Sequence, residues 1–505
     1  MSIENDMGKK ILSILITLLL CFALIACGKT NNNGNGNGNG NGNGNNNNEE
    51  VEKTYDLGGI DFNIRCNVAE RIDPRNSEFE RMYRNEKMRN IEKVEKKYNI
   101  KVNYLNYPSN ASWGVERDNW IIQQAQQGLT DSHVFEVTSN SVANLAVQGA
   151  ILPLDDLIEK YGNKGLWAKK RSFGTILGQS YVYDDVYSQA EEGIYYNSEL
   201  LATILGEDRK LEPTKLWAEG KWTWEAFANL AHEINRSLDH ERSEAEGGPQ
   251  YVMGGRTYDW LYPMVGTNGG RLVDSNFNSH VNSEEVIDTI NYLNSLYQVP
   301  GMWIDDAVMS NPVQPEFRNG NVVFHAGESW YLIVSNWWGG LEFDLDFVPY
   351  PVGPNAQEDR SKYIQTKVKT EASFVISSAF SKDKIPAGYE NMELHDELIF
   401  QIWNDLLYFP EIDEATGEAD LEDIKMNFYA TRLMPFYAHE ESRLAHLDIY
   451  TLAEIDHLYS VYEGEASYRV KFEEAIRHGD ARNKMESLHS ELQNVLNDKI
   501  LSKKG

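Results

Sequence analysis

The fold is decided by residues 79–105, which read FERMYRNEKMRNIEKVEKKYNIKVNYL. Apolar side chains at helical spacing predict a helix from about Phe79 to Tyr98, and Asn99 then suits its left-handed end. After Asn99, apolar and polar residues alternate as they do in a strand with one buried face. The same alternation stands upstream, between Ile60 and Ile64. This strand–helix–strand order predicts two parallel strands joined by a right-handed crossover.

The same order continues downstream. A predicted helix near Trp120–Gln127 is followed by the short apolar strand Val134–Val137 and by a second helix that ends near Gly149. Alternating strands and helices are typical of an open α/β sheet. The second half of the chain is richer in helices, above all from about Leu444 to Leu501. We therefore predict an α/β protein without internal repeats.

The N-terminus has the layout of an export signal. Lys9 and Lys10 precede an apolar stretch from Ile11 to Ala26. This stretch is shorter than the roughly 20 apolar residues that span a bilayer. We therefore predict a signal peptide over residues 1–26.

The signal ends in Leu24-Ile25-Ala26 and is followed by Cys27, an arrangement that resembles the lipobox of bacterial lipoproteins. The resemblance implies that Cys27 carries a diacylglyceryl group. Residues 27–54 are dominated by Asn and Gly, a composition that stays a flexible coil. We expect a tethered protein on the outer face of the cell membrane, of the Gram-positive type, held there by its lipid alone. The alternative is a plain signal peptide with an incidental cysteine.

Composition and motifs argue against several kinds of site. The formal net charge is −30, which disfavours nucleic acid as a partner because phosphate binding needs basic surface. Only Cys66 remains once Cys21 leaves with the signal and Cys27 is modified, so an intrachain disulfide or a Cys₄ zinc site cannot form. The motifs G-x-S-x-G, H-E-x-x-H and the P-loop do not occur. We expect no catalytic residues, no metal and no cofactor.

Several segments stand in a recognisable order: Glu92–Leu105, Gly149–Asp156 (GAILPLDD), Gly193–Asn197 (GIYYN), Trp222–Glu225 (WTWE), Phe317–Phe324 (FRNGNVVF) and Asp346–Pro351 (DFVPYP). Together they resemble the extracellular solute-binding proteins of ABC importers, family 1, the group of maltose- and oligosaccharide-binding proteins. The resemblance runs from about Tyr55 to Ser378. It departs from the family pattern at Ser198, where a lysine is usual, and in the loop Ser180–Glu192.

The resemblance implies a two-lobed fold of the type II periplasmic-binding-protein kind, in which two α/β lobes close over a ligand like a hinged clamp. Each lobe would hold a mixed sheet flanked by helices. Lobe 1 would comprise residues 55–188 and 370–415, and lobe 2 residues 189–369 and 416–505. The implied function is that of a monomer that captures an extracellular carbohydrate, an oligosaccharide in our prediction, and delivers it to the transmembrane subunits of an ABC permease.

A sugar offers apolar C–H faces to aromatic rings and hydroxyl groups to polar side chains. Such residues are expected just after strands, because open α/β sheets bind ligands at the carboxyl ends of their strands. The predicted ligand-binding residues are therefore Asn67, Glu70, Ser139, Asn140, Asp259, Trp260, Glu328 and Trp330. We expect Trp113 and Tyr195 to pack in the core rather than to line the cleft.

Two other functions stay open at this point. The same fold could bind a non-sugar solute such as a peptide or a polyamine, and carboxylates would then dominate the cleft. A surface enzyme or adhesin acting on polysaccharide would instead turn over polymer or bind insoluble glycan. Acidic pairs do not separate these functions, because Asp and Glu are so abundant that some pairs lie at glycosidase distance by chance.

Overall fold

The computed structural model describes residues 55–128, 131–163, 174–185, 192–304, 315–333, 338–357, 359–367, 372–380, 395–409, 412–413, 418–419, 421–460 and 465–503. The predicted signal peptide, Cys27 and the tether lie outside these residues. The predicted lobe boundaries near residues 188, 369 and 415 lie outside them as well. In the described part of the chain, no helix is both long enough and apolar enough to cross a membrane.

The strands follow the chain in this order: β1 (Ile60–Cys66), β2 (Ile100–Asn106), β3 (Val134–Thr138), β4 (Thr175–Ile176), β5 (Gln179–Ser180), β6 (Glu192–Asn197), β7 (Tyr251–Gly254), β8 (Val322–Glu328), β9 (Leu345–Val348), β10 (Gln365–Lys367), β11 (Ala372–Ile376), β12 (Ile412–Asp413), β13 (Glu418–Ala419) and β14 (Ala453–Ile455).

The α-helices span Ala69–Ile72, Arg84–Tyr98, Gly114–Gln127, Ser139–Val147, Asp155–Tyr161, Ser198–Leu205, Glu212–Ala218, Trp224–Asn235, Thr257–Thr267, Glu284–Tyr297, Pro315–Arg318, Pro354–Gln357, Asp396–Leu406, Leu421–Phe428, Glu440–Ile449, Glu465–His478 and Ala481–Lys499. A π-helical turn covers Tyr429–Leu433. Short 3₁₀ helices include Ser329–Ile333 and His457–Tyr459.

The first sheet has the strand order β11-β3-β1-β2. Strand β1 is parallel to β2, with Ile60 opposite Ile100, and parallel to β3. Strand β11 joins the far side of β3 in the antiparallel direction. The predicted parallel strand–helix–strand unit is therefore confirmed, with the helix Arg84–Tyr98 as its connection.

The two ends of this connecting helix differ in how well the sequence predicts them. Asn99 closes the helix in the left-handed region, with φ of 48°, as predicted. The predicted start near Phe79 is wrong, because the helix begins at Arg84. Tyr83 stands before it with φ of 61°, a left-handed conformation that α-helical geometry cannot continue through. Helical spacing of apolar residues does not reveal such a local backbone reversal.

The second sheet has the strand order β7-β8-β6-β9. Strands β7 and β8 are parallel, whereas β6 is antiparallel to both β8 and β9. The carboxyl ends of β7 and β8 therefore share one edge, and the amino end of β6 lies at that edge beside Glu328 of β8. This edge is where a ligand site is expected.

Apolar side chains fill the space between each sheet and its helices. On β1 the alternating residues Phe62, Ile64 and Cys66 are fully buried, as the period of a half-buried strand requires. They pack in a cluster that includes Tyr98 and Trp403. Cys66 is thus a small core residue, and burial raises the pKa of its thiol.

Hydrogen bonds tie the segment before the helix Arg84–Tyr98 to the C-terminal part of the chain. The hydroxyl of Tyr83 donates to Asp423 over 2.9 Å. The guanidinium of Arg432, in the π-helical turn, donates to the carbonyl of Glu80 over 2.8 Å. These bonds connect residues in the predicted lobe 1 with residues in the predicted lobe 2.

A buried histidine stands at the entry to β3. The ring of His133 is stacked between Phe62 and Phe380, each 4.6 Å away between ring centroids. Its Nδ1 accepts a hydrogen bond from the backbone N–H of Asn63 over 3.0 Å, so Nδ1 carries no proton and the ring is neutral. Burial lowers the pKa of His133 to about 4.

We expect replacement of His133 by Gln to change how stability depends on pH. Folding depresses the pKa of His133 from about 6.5. The stability that the neutral ring contributes to the folded state is therefore fully present above about pH 6.5, and it is lost as pH falls through about 4. Between pH 7 and pH 4 the wild-type protein should therefore lose about 3 kcal/mol of its free energy of unfolding relative to the variant. Urea unfolding at several pH values would measure it. A difference that does not vary with pH would contradict the prediction.

Candidate functional site

A narrow pocket opens at the carboxyl edge of the second sheet. Its empty volume is about 450 Å³, part of which is open to solvent. Two of the predicted residues, Asp259 and Glu328, line it. The remaining lining residues come from β6, β8, the helix Thr257–Thr267 and later segments: Glu192, Tyr258, Tyr262, Pro263, Gly327, Tyr331, Tyr350 and Tyr459.

Five of the ten residues that line this pocket are tyrosines, and hydrogen bonds hold the hydroxyl groups of three of them. The hydroxyls of Tyr262 and Tyr459 are 2.6 Å apart. The hydroxyl of Tyr350 donates to the carbonyl of Asp259 over 2.9 Å. Burial raises the pKa of Tyr331, Tyr350 and Tyr262 well above the usual value. These side chains therefore stay neutral.

Carboxylates stand beside the tyrosines. Asp259 is half-buried and accepts from Nε of Arg256 over 3.2 Å. Glu192 and Glu328 lie directly opposite each other in the antiparallel pairing of β6 and β8. Like charges in such a pair are destabilising. The pocket therefore offers several strong hydrogen-bond acceptors within a small space.

Trp330, also predicted, follows β8 and lies next to the pocket. Its Nε1 donates to Oε2 of Glu328 over 2.9 Å. Its ring meets Tyr331 edge-on, with 4.7 Å between the centroids and 89° between the planes. The residue keeps 36% of its surface exposed. A neighbouring carboxylate and a neighbouring ring thus hold a partly exposed indole beside the pocket.

The structure corrects the prediction for Trp260, which is fully buried. Its Nε1 donates to the carbonyl of Gly254 over 2.8 Å, and its ring packs edge-on against Trp303 and Tyr350. In the helix Thr257–Thr267 every residue except Asp259 is buried. Trp260 therefore supports the pocket wall from behind and does not contact the pocket itself.

The other predicted residues lie at the carboxyl edge of the first sheet. Asn67 follows β1, is half-buried, and accepts from Nη1 of Arg117 over 2.7 Å. Glu70 is exposed, and its carboxylate is 3.4 Å from the amide of Asn106. Ser139 and Asn140 do occupy this edge, in the first turn of the helix Ser139–Val147. Each is 5% exposed, and a role of either residue in ligand binding stays a prediction.

Of two residues that the sequence assigns to the core, one is buried and the other is exposed. Tyr195 is fully buried and packs edge-on against Trp338 and Phe347, as predicted. Trp113 is 57% exposed, so its predicted place in the core is wrong. It precedes the helix Gly114–Gln127 at the edge of the first sheet, with the guanidinium of Arg117 over its ring. A tryptophan that precedes a helix start can face either way, and the local sequence does not decide between them.

Sequence reasoning also missed several pocket residues. Tyr331 adjoins the predicted Trp330, and Glu192 directly precedes the segment GIYYN. Their position beside these segments is a signal that could have found both residues. Tyr459 had no such signal. It lies in the C-terminal part of the chain, at the end of the 3₁₀ helix His457–Tyr459, and only the tertiary structure brings it to the pocket.

Comparison with known proteins places the chain among binding proteins. The family model described as bacterial extracellular solute-binding protein matches residues 85–376, which is more than half of the 505 residues. No curated protein matches the sequence significantly.

Several solved structures share the fold. The sugar-binding protein MalE of Xanthomonas citri superposes with a TM-score of 0.56 and 14% identity, over 87% of this chain and 98% of that one. The ABC substrate-binding protein Lmo0181 of Listeria monocytogenes, in complex with cycloalternan, gives 0.55 and 13%, over 87% and 99%. UgpB of Mycobacterium tuberculosis, in complex with glycerophosphocholine, gives 0.54 and 14%, over 88% and 100%. The predicted two-lobed α/β fold of type II is thereby confirmed.

Proposed function

Because this chain belongs to the family of bacterial extracellular solute-binding proteins, we propose that it captures a carbohydrate, in particular an oligosaccharide, and delivers it to the permease of an ABC importer. The observation that carries this proposal is the pocket at the carboxyl edge of the second sheet. There an exposed tryptophan, a set of fixed tyrosine rings and several carboxylates converge.

The pocket suits the two kinds of surface that a sugar presents. Trp330 offers an aromatic face against which the C–H groups of a pyranose ring can stack. Glu192, Asp259 and Glu328 offer oxygens that accept hydrogen bonds from sugar hydroxyl groups. A buried polar group left without its partner costs about 1–3 kcal/mol, so the pattern of acceptors would select one sugar over another.

Lobe closure completes the proposed mechanism. We assign residues 55–188 and 370–415 to lobe 1 and residues 189–369 and 416–505 to lobe 2, with the carboxyl edges of the two sheets facing each other across a cleft. A ligand that binds both edges stabilises the closed arrangement by its differential affinity for it. The hydrogen bonds from Tyr83 to Asp423 and from Arg432 to Glu80 would then be broken or remade as the lobes move.

The N-terminal part of the chain supports export and anchoring. The basic pair and apolar stretch of residues 1–26, followed by Cys27, fit a signal peptide and a lipid attachment site. The Asn- and Gly-rich residues up to 54 would act as a flexible tether between the lipid anchor and the folded domain. The protein would work as a monomer on the outer face of the cell membrane.

A second candidate ligand is a cationic solute such as a polyamine. It is favoured by the three carboxylates in one small pocket, two of which face each other on β6 and β8. The relative from Mycobacterium tuberculosis that was solved with glycerophosphocholine shows that this fold is not restricted to sugars. The exposed ring of Trp330 favours the sugar, because its stacking surface is what a pyranose requires.

Isothermal titration calorimetry of residues 55–505 against panels of oligosaccharides, polyamines and short peptides tests the proposal. We expect saturable heat and a rise in Tm with at least one oligosaccharide, because a ligand that binds only the folded state stabilises it. Heat with polyamines or peptides alone would replace the sugar by the second class of ligand. Release of reducing ends from a glycan that binds would instead indicate an enzyme.

A further inference from the structure

The hydroxyl group of Tyr258 has no hydrogen-bond partner among the described residues, although Tyr258 is 5% exposed and lines the pocket. The hydroxyls of three other lining tyrosines, Tyr262, Tyr350 and Tyr459, are hydrogen-bonded. Burial raises the pKa of Tyr258, so its hydroxyl keeps the proton. A buried polar group without a partner destabilises the folded protein. The Tyr258 hydroxyl is therefore a hydrogen-bond donor that a ligand in the pocket can use.

Two guanidinium groups lie over the ring of Tyr258. The guanidinium carbons of Arg256 and Arg469 are 4.8 Å and 5.2 Å from the ring centroid, both within the range of a cation–π contact. Arg256 is close in sequence and also pairs with Asp259 over 3.2 Å. Arg469 comes from the helix Glu465–His478, near the end of the chain. The tyrosine is thus held by one local and one distant arginine.

Arg469 differs from Arg256 in its other contacts. It is half-buried, and within the described ranges it forms neither a hydrogen bond nor an ion pair. Ordering a long side chain costs conformational entropy, and here the compensating contact is the one with the ring of Tyr258. A planar guanidinium is well suited to lie on an aromatic face. The position of Arg469 is therefore tied to a tyrosine of the pocket.

The helix that carries Arg469 also supports a second tyrosine of the pocket. The ring of Phe472 meets Tyr262 edge-on, with 5.8 Å between the centroids and 81° between the planes. The amide of Asn294 donates to the carbonyl of Ile476 over 2.6 Å, which fixes this helix to its neighbour. A helix that lines none of the pocket itself thus holds two of the residues that do.

We propose that Arg469 is a positioning residue for ligand recognition, which holds Tyr258 so that its hydroxyl donates a hydrogen bond to an oxygen of the ligand. The inference rests on the proposed function and deepens it. The charged groups that line the pocket, Glu192, Asp259 and Glu328, are all acceptors. The Tyr258 donor adds a second requirement, since the bound sugar unit must present an accepting oxygen there as well as hydroxyls that donate to the carboxylates.

Tyr258→Phe tests the hydroxyl, because it removes that group and keeps the ring. We expect calorimetry to show about tenfold weaker binding of the tightest-binding oligosaccharide of the panel, together with a higher Tm, since a buried group without a partner is removed. Tyr468→Phe is the matched control. Tyr468 is 1% exposed, its hydroxyl is buried without a partner, and it does not line the pocket. This variant should raise Tm in the same way and leave Kd unchanged.

Arg469→Gln tests the positioning role. We expect it to weaken binding about fivefold in the wild-type background and less than twofold in the Tyr258→Phe background, because coupled residues are not additive. Arg469→Lys keeps a cation over the ring and should restore part of the affinity. Arg482→Gln, which removes an exposed arginine paired with Glu284, should leave Kd unchanged.

A spectroscopic readout separates positioning from a general loss of stability. In protein labelled with ¹³C at the ζ carbon of tyrosine, the resonance that is lost in Tyr258→Phe should shift when the oligosaccharide is added. Arg469→Gln should move the same resonance before any ligand is present, whereas Arg482→Gln should not.

The outcomes distinguish the two proposals. If the wild-type protein binds no glycan of the panel, the proposed carbohydrate function fails and this inference fails with it. If an oligosaccharide binds the wild type and Tyr258→Phe with the same Kd, only the inference about Tyr258 and Arg469 is overturned. If Arg469→Gln weakens binding equally in both backgrounds, Arg469 does not act through Tyr258 and its positioning role is overturned.

Discussion

Replacing Trp330 by alanine is expected to weaken binding of the cognate sugar about 30-fold, the largest effect on affinity that we expect from one side chain. The indole supplies the exposed aromatic face beside the pocket, and Glu328 and Tyr331 hold it in place. Loss of its stacking surface removes about 2 kcal/mol of binding free energy, which corresponds to roughly that factor. Since the residue is 36% exposed, its removal should affect folding far less than binding.

Two further variants sharpen this test. Trp330→Phe keeps an aromatic face but loses the N–H that donates to Glu328, so its affinity should lie between those of the wild type and the alanine variant. Trp217→Phe is the matched control, because Trp217 is half-buried, donates to Asp448 and is not among the residues that line the pocket. Calorimetry would measure all three. A folded Trp330→Ala protein with the wild-type Kd would remove Trp330 from the site.

Replacing Asp456 by alanine is expected to lower the free energy of unfolding by about 3 kcal/mol or more. Asp456 is buried, with 3% of the residue exposed. It accepts the backbone N–H groups of Leu272, Val273 and Leu458 over 2.7, 3.1 and 2.9 Å. Each buried donor left without an acceptor costs about 1–3 kcal/mol. Alanine also removes the cost of burying a carboxylate, but the loss at three donors is larger. Urea unfolding followed by circular dichroism would measure the loss.

Asp456 matters to the pocket as well as to stability. It caps the 3₁₀ helix His457–Tyr459, whose last residue lines the pocket and shares a hydrogen bond with Tyr262. Loss of the cap should therefore loosen one wall of the pocket and weaken ligand binding in parallel. Asp456→Asn, which keeps one acceptor oxygen, should show a smaller loss of stability. An alanine variant as stable as the wild type would contradict this account.

The pH dependence of the Asp456→Asn comparison provides a second readout. Burial raises the pKa of Asp456 to about 6, against the opposing effect of the three N–H donors. The folded-state pKa is thus above the unfolded value of about 3.9. Protonation favours the folded state, so the wild type should gain stability relative to the asparagine variant as pH falls from about 6 to about 4. The opposite trend would show that the donors outweigh burial.

The local sequence determined the frame of the first lobe. The period of two in β1 and β2, the helical spacing up to Tyr98 and the left-handed Asn99 are properties of short segments. Such patterns record which face of each element is buried, so they are sufficient to predict the parallel pairing of the two strands. The rule that ligands bind at the carboxyl ends of strands likewise directs attention to Asp259, Glu328 and Trp330, which the structure brings together at one edge.

The sequence did not determine which aromatic side chains are accessible. Trp260 and Trp330 both follow strands of one sheet, yet the first is fully buried and the second is exposed. Trp113 was expected in the core and lies at the surface. Tyr459 joins the pocket from a distant part of the chain. An aromatic ring gains stability from burial in either setting, and only the packing of neighbouring elements decides whether a ring fills the core or remains available to a ligand.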